Sequence, residues 1–338
     1  MTSSRTVWNV NADEFPAHGS PHQKLEFLLN YAVLAPSTHN SQPWLFRIVG
    51  KTVEVYADRT RALPVVDPED RELVMSCGCA LYHLRLAMHH FGYDDETEIC
   101  PDEENPDLVA EVKLGGEYKP TPAEDALFEA ISMRRTNRHR FEDRPVDETV
   151  LHDMQEAAEA EGALLKIIEG DGRLALADLI AEGDQRQMAD KRFRRELAAW
   201  IHPSRNVSQD GMPAYAHTIT DVPDAGSAFV IRTFELGDMQ ANLDYHIAMG
   251  SPVLAVLATH DDTPTDWMKV GQALARLLLR GQVEGVYASY LNQPVEVPTL
   301  RPQVQEMIGS AIPQLILRFG YGPDTKTTPR RPVSTVML

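Results

Sequence analysis

The chain has 338 residues, 43% of them hydrophobic, with a formal net charge of −18 and three cysteines. That is enough apolar material for one large or two ordinary domains. The negative charge argues against a nucleic-acid or anionic-membrane partner, because both need clustered Lys and Arg. No apolar run is long enough to span a bilayer and residues 1–20 carry no secretory h-region, so a soluble, cytoplasmic protein without a membrane partner is expected. Cys77, Cys79 and Cys100 make no disulfide framework and the histidines show no metal-binding spacing, so buried thiols and no metal site are expected.

Residues 1–20 read as an irregular arm. From about Pro21, Leu25, Phe27, Leu28, Leu29, Ala32 and Val33 recur at helical spacing. The stretch Ala35 to Arg47, APSTHNSQPWLFR, joins that helix to a strand. Pro36 and Pro43 stiffen it. Ser37, Thr38, Asn40 and Gln42 offer hydroxyls and amides to a flat polar ligand, although the same residues suit an ordinary turn. A strand pair runs through Lys51, and Pro68 to Phe91 reads as a mostly buried helix. The acidic run Asp94 to Asp107 is expected to be a loop with a short strand at most. Val109 to Leu114 alternates as a strand, and Gly115, Gly116, Pro120 and Pro122 mark a linker.

Helices are then expected from Pro122 to about Arg134 and around Glu148 to Glu161, with a strand from Leu164 to Ile168. Two amphipathic helices over 171–202 precede an irregular segment, 203–250. A strand (Pro252–Thr259), a long helix (Asp266–Glu284), a strand (Gly285–Tyr290), a short helix near Arg301 and a strand (Leu315–Phe319) complete the pattern. Gly78 to Gly92 aligns without gaps to Gly271 to Gly285, with Gly78, Ala80, Leu81, Leu84, Leu86 and Gly92 repeated. Each long helix follows a helix and a strand, so a tandem duplication with a boundary near 115–122 is the economical explanation.

The segment Met133 to Phe141, MRRTNRHRF, concentrates Arg134, Arg135, Arg138 and Arg140, with Arg144 beyond, in an otherwise acidic chain. Guanidinium forks bind phosphate oxygens bidentately, and Thr136 and Asn137 could add neutral donors. The alternative is a solvated turn paired with Glu142 and Asp143. Arg330 and Arg331 form a second basic pair. No GxGxxG loop follows a strand, so a Rossmann grip on pyrophosphate is absent, and no Ser-His-Asp or paired-carboxylate arrangement is evident.

The order Pro36-Ser37-x-x-Asn40-x-Gln42-Pro43-Trp44 strongly resembles the flavin-contacting loop of the nitroreductase superfamily. Over nearly its whole length the chain most closely resembles the Acg family of FMN-binding proteins within it. The resemblance implies an α+β (α/β sandwich) architecture, a nitroreductase-like fold duplicated in one chain as an internal pseudo-dimer. Its parts would be an arm (1–20), a first half (21–118) and a second half (119–338) carrying a candidate lid at about 203–250. The first half keeps the loop and the second keeps the basic residues, while the second half's counterpart of the loop, Glu159 to Ala163, has shrunk. One FMN site is therefore implied, built from Pro36, Ser37, Thr38, Asn40 and Gln42 on one side. Arg134, Arg135, Thr136, Asn137, Arg138, Arg330 and Arg331 would supply the other. The basic motif is one residue longer than the common spacing, so either Arg134 or Arg135 takes the main phosphate position and either Thr136 or Asn137 the serine position.

Tyr290 to Pro294 aligns with the family stretch whose backbone lies at flavin N5, which brings in Asn292 and Gln293; a strand ending at a turn before Pro294 is the alternative. His39 reads as a polar loop residue rather than a proton donor. The implied activity is an FMN-dependent NAD(P)H oxidoreductase passing electrons to a nitroaromatic, quinone or similar small flat acceptor. No catalytic side chain is implied, because flavin N5 carries the chemistry, and a monomer is expected. The alternative is an FMN-storage protein with little turnover.

Overall fold

The computed structural model describes residues 7–203, 208–213 and 227–338. The first part of the chain forms α1 (Pro21–Ala32), β1 (Trp44–Val49), β2 (Thr52–Ala57), α2 (Arg71–His90), β3 (Tyr93–Ile99) and β4 (Leu108–Glu117). Next come α3 (Pro122–Met133), α4 (Glu148–Glu159), β5 (Leu164–Ile168), α5 (Asp171–Ala189) and α6 (Lys191–Ala199). The short strands β6 (Ile201–His202) and β7 (Met212–Pro213) precede α7 (Ser227–Thr233) and α8 (Gly237–Met249). The chain then runs through β8 (Val253–Thr259), α9 (Pro264–Val283), β9 (Tyr287–Tyr290), α10 (Gln293–Glu296), α11 (Arg301–Ile308) and β10 (Ile312–Gly320). Three helices start on the same local device. Ser20, Thr121 and Thr263 each accept a hydrogen bond from the third helical N–H, whose side chain bonds back, and a proline follows each cap.

The architecture is the expected α+β sandwich. One sheet runs β1-β2-β4-β3 and the other β5-β8-β10-β9, every pair antiparallel. With β1, β2, β3 and β4 set against β5, β8, β9 and β10, the two orders are the same. α2 and α9 pack between the sheets and cross at Gly78 and Gly271. A Cβ on Gly78 would lie 2.4 Å from the Met268 carbonyl oxygen, and one on Gly271 would lie 2.0 Å from that of Met75. Each glycine thus presses on the backbone three residues before the other, as a two-fold axis through the crossing requires. Side chains from both halves, including Leu81, Leu84, Leu274 and Leu277, share one core.

The second sheet is covered on both faces. Along β8, Val253, Ala255 and Leu257 face the shared core, whereas Leu254 and Val256 face a second cluster with Leu176, Ile180 and Ala248 of α5 and α8. A third cluster joins Phe193, Leu197 and Met212 to Leu63 and Val66 of the first half. The tail returns to the first sheet, where the Phe46 N–H donates to Val336 O and the Leu338 N–H to Phe46 O, each at 2.8 Å.

Two expectations need correction. The acidic run Asp94 to Asp107 carries more than a short strand, since β3 extends through Ile99 and leaves residues 100–107 as the loop. Asp95, pointing inward between Tyr93 and Ile99, is held by Arg85 Nε at 3.0 Å and His89 Nε2 at 2.8 Å, so a carboxylate is accommodated on a face that also packs on the core. The segment 203–250 is not uniformly irregular either, because α8 is a regular helix of 13 residues. Residues 204–207 and 214–226 of the candidate lid, and residues 1–6 of the arm, lie outside the described residues. No helix among the described residues is long and apolar enough to cross a membrane.

Candidate functional site

A cavity of about 530 Å³ lies where the two halves meet, within the range of small-molecule and cofactor sites. Its first wall is the loop after α1. His39, Asn40 and Gln42 all have left-handed backbone, with φ of 52°, 55° and 52°. Non-glycine residues hold that conformation only where the surroundings over-determine it, and here they do. Ser37 Oγ accepts the Gln42 N–H at 2.9 Å, Thr38 Oγ1 donates to Glu72 Oε2 at 2.7 Å, and Gln42 Nε2 donates to Gln209 O at 2.9 Å.

Asn40 joins three parts of the chain. Its amide Nδ2 donates to Gly211 O at 2.9 Å and to Pro329 O at 3.0 Å, and its Oδ1 accepts from Arg330 Nη1 at 2.7 Å. His39 borders the enclosed cavity, so water there can reach part of its ring although protein surrounds it. Burial, followed by the nearby Arg138 charge, lowers its pKa to about 4, and its Nε2 has no hydrogen-bond partner. The ring is therefore neutral at pH 7.

Another part of the lining is basic. Arg134 caps the C-terminal end of α3, and Arg135 follows it into the cavity. Trp8, from the arm, lies between two guanidinium groups, with Arg135 Cζ at 4.2 Å and Arg330 Cζ at 4.9 Å from its ring centre. Trp8 Nε1 donates to Thr328 O at 2.8 Å. Arg134 and Arg330 are buried, with relative exposures of 4% and 5%, and the Nε of each has no partner. Among the described residues Arg134, Arg135, Arg138 and Arg330 make no ion pair within 4.0 Å. Burial lowers the pKa of Arg330 well below its usual value, and Arg134 and Arg135 push it further down. Burial and then Arg134 bring Arg135 to about 10. A buried cation without a counter-charge is costly, so this wall is built to receive an anion. Thr325 Oγ1, also unpartnered, lines the same space.

Of the residues singled out from the sequence, Pro36, Ser37, Thr38, Asn40, Arg134, Arg135, Thr136, Arg138, Asn292, Gln293 and Arg330 all line the cavity. The structure does not bring Gln42, Asn137 and Arg331 to it. Gln42 Oε1 accepts the Arg331 N–H at 2.7 Å, and the Arg331 guanidinium donates to Gln42 O and Thr335 O. Asn137 Nδ2 donates to Pro323 O at 2.9 Å, and its N–H to Ala288 O, so it pins the chain beyond β10 against β9. Asn292 spends its Oδ1 on the Ile316 N–H at 2.9 Å.

Sequence reasoning missed three contributors. Trp8 is a lone aromatic in a polar arm and gives no periodic signal. The second is the stretch from α5 to α8, which supplies Asp184, Gln187, Met188, Phe193, Leu197, Met212, Gln240 and Asp244 to the lining. The third is a set of carboxyls on α5, α8 and α10. Gln293 Nε2 donates at 3.0 Å to both Asp184 Oδ1 and Asp244 Oδ2. Burial, then the Asp244 charge, raises Asp184 to about 9. Glu296, half-buried in the same lining, is raised well above its usual value by desolvation and then by Glu72.

No protein-family model matches the chain. A Mycobacterium tuberculosis protein provisionally named an NAD(P)H nitroreductase is 28% identical over 328 residues, covering 95% of this chain and 92% of its own length. A second from the same organism, named acg with the same provisional activity, is 28% identical over 313 residues, covering 90% of this chain and 92% of its own length. Among solved structures, the FMN-dependent nitroreductase NfnB of Mycobacterium smegmatis in complex with NADPH is 16% identical. It matches 63% of this chain and 92% of its own at a TM-score of 0.37, an overlap that by itself decides nothing. The similarity to the acg-named protein agrees with the resemblance carried by the Pro36–Trp44 loop.

Proposed function

We propose that this chain, a relative of the Acg-type proteins of the nitroreductase superfamily, binds one FMN in the cavity between its halves and acts as an NAD(P)H-dependent oxidoreductase. The observation that carries the reading is the set of guanidinium groups without a carboxylate partner, Arg134, Arg135 and Arg330, that line one cavity with the Pro36–Asn40 loop. A phosphate dianion would supply the missing counter-charge, and charge-assisted bonds to it contribute about 1.5–3 kcal/mol each. FMN, when bound, supplies hydride acceptance and electron delivery.

The chain's own residues orient and enclose. Arg134 and Arg330 hold the anionic end, while the Trp8 ring packs against the Arg135 and Arg330 guanidinium groups and restrains both. Asn40 sets the reach of Arg330. His39, uncharged at neutral pH, offers a neutral Nε2 to the cavity rather than a third cation. Phe193, Leu197 and Met212 close it against water. The electron acceptor proposed is a nitroaromatic, a quinone or another small flat molecule. The chain is proposed to act as a monomer, because the α2–α9 contact is already made internally.

A second reading, an FMN-storage protein, is favoured by one observation. The segment 208–213 is bonded directly to the loop through Asn40, Gln42 and the Arg61–Asp210 ion pair, which would restrict the entry of a second substrate. Anaerobic titration with NADPH and NADH, followed at the flavin absorbance band, separates the two. Rapid bleaching supports the enzyme, and a flavin that dithionite alone reduces supports storage. A stoichiometry of two FMN per chain would overturn the single-site reading itself.

A further inference from the structure

The carboxyls that α5 and α8 bring to the cavity are unused by the reading above. Asp184 on α5, Gln240 and Asp244 on α8, and Gln293 on α10 come together there. Asp184, Asp244 and Gln240 have relative exposures of 4%, 6% and 8%. Gln240 Nε2 donates to Asp244 Oδ2 at 2.9 Å, and Gln293 Nε2 ties that oxygen to Asp184 Oδ1. Asp184, protonated at neutral pH, gives its proton to Asp244. The donors in this cluster are therefore spent, whereas two amide acceptors, Gln240 Oε1 and Gln293 Oε1, are buried without a hydrogen-bond partner on residues that line the cavity.

Two buried amide acceptors, on α8 and α10, beside a carboxyl pair that shares one releasable proton, ask for a ligand with several N–H donors. We propose that this part of the cavity is a subsite for a planar organic cation, an amidinium or guanidinium carried by the molecule that reacts there. The proposal rests on the flavin reading only in assigning the basic wall to the cofactor.

Glu296 and Glu72 also line the cavity; Gln187 Nε2 donates to Glu296 Oε2 at 2.6 Å, and Glu72 is engaged by Thr38 Oγ1 and Arg71. Arg318 and Arg138 are the cations closest to Asp244, and neither is within ion-pair distance of it among the described residues. Arg318 is held away by Asn137 O and His139 O and packs over Phe141, with its Cζ 4.2 Å from the ring centre. Burial holds Asp184 protonated at neutral pH, so a bound cation must displace a proton. Affinity then rises with pH up to about 9.

The test is calorimetric binding of benzamidine, with benzamide as the neutral and benzoate as the anionic probe of like shape, to the FMN-loaded and the flavin-free chain. The expected result is benzamidinium binding at least about tenfold tighter than either control. It should strengthen between pH 6 and 8 with proton release, and weaken at least about fivefold in Asp184→Asn and Asp244→Asn. Gln240→Met, which deletes one unpartnered acceptor and keeps both carboxyls, should weaken it about threefold and serves if the Asp variants do not fold. Benzamide binding as tightly as benzamidine, or cation affinity unmoved in a folded variant, overturns the proposal. FMN binding is followed separately by fluorescence quenching. Its failure with benzamidine binding intact counts against the flavin reading alone, and the reverse counts against this proposal alone.

Discussion

Asn40 Oδ1 accepts a hydrogen bond from Arg330 Nη1 at 2.7 Å across 290 residues of sequence. Through this one bond the loop of the first half aims the cation of the tail, and both then face Arg134. The neighbouring Arg331 is turned away, toward Gln42 O and Thr335 O.

These two arginines should therefore behave differently. Arg330→Ala is expected to weaken FMN binding about tenfold to a hundredfold, the loss of one charge-assisted contact. Arg331→Ala should change it less than about threefold. Riboflavin, lacking the phosphate, should bind wild type poorly and be nearly indifferent to Arg330→Ala. Fluorescence titration of both ligands against the three proteins checks this, and equal losses for riboflavin and FMN would remove Arg330 from the phosphate.

His39 makes a prediction about acid. Its folded pKa, about 4, lies below the ordinary histidine value of 6.5, so the unfolded chain takes up the proton first. Stability is undiminished above pH 6.5 and is lost as pH falls from there toward 4, by at most about 3 kcal/mol from this group. His39→Asn, which tolerates the left-handed backbone, should narrow the gap between melting temperatures at pH 7.5 and 5. An unchanged gap would mean that His39 already finds solvent enough to charge.

The helix crossing predicts a steep steric cost. Gly271→Ala drives a methyl into the Met75 carbonyl, a backbone atom that cannot rotate away. Destabilisation of about 2–3 kcal/mol or more is expected. Gly116→Ala, whose new methyl meets nothing within 4 Å, should melt like wild type and serves as the control.

Arg61 fastens the cover. It donates to Ser41 O at 2.5 Å, pairs with Asp210 and packs on Trp200 at 5.4 Å from the ring centre. Arg61→Ala should speed flavin release severalfold while leaving the phosphate contacts in place, as stopped-flow dilution would register. Release at the wild-type rate would show that the 208–213 segment does not limit exit.

The sequence made the frame legible where apolar periodicity and turn chemistry agreed. Leu164–Ile168 was read with the bounds that the strand has, and the Gly78–Gly271 correspondence falls on the actual crossing. What escaped was polar burial. In α8 the buried positions are Gly237, Gln240, Ala241, Asp244 and Ala248, a regular helical series carrying two polar groups, while Met239, Leu243 and Met249 face solvent. The hydrophobic pattern is broken there because Gln240 and Asp244 line the cavity, whereas Ala248 packs in the second cluster. In β3 the inward Asp95 is matched instead to Arg85. Side-chain direction was illegible too, since Arg330 and Arg331 are adjacent and chemically alike, and the pairing of Gln42 with Arg331 decides which one reaches the cavity.

The order in which the walls are made has its own consequence. Ribosomes deliver His39 and Asn40 long before Arg330, and at about 5–20 residues per second the 290 intervening residues take roughly a quarter of a minute to a minute. Throughout that interval the loop's left-handed residues lack the tail that locks them, and the basic wall lacks one of its cations. Capture of an anionic cofactor is thus a late event in biogenesis, following synthesis of the tail whatever polypeptide lies beyond it. A nascent chain stalled before residue 330 should leave FMN free in the medium.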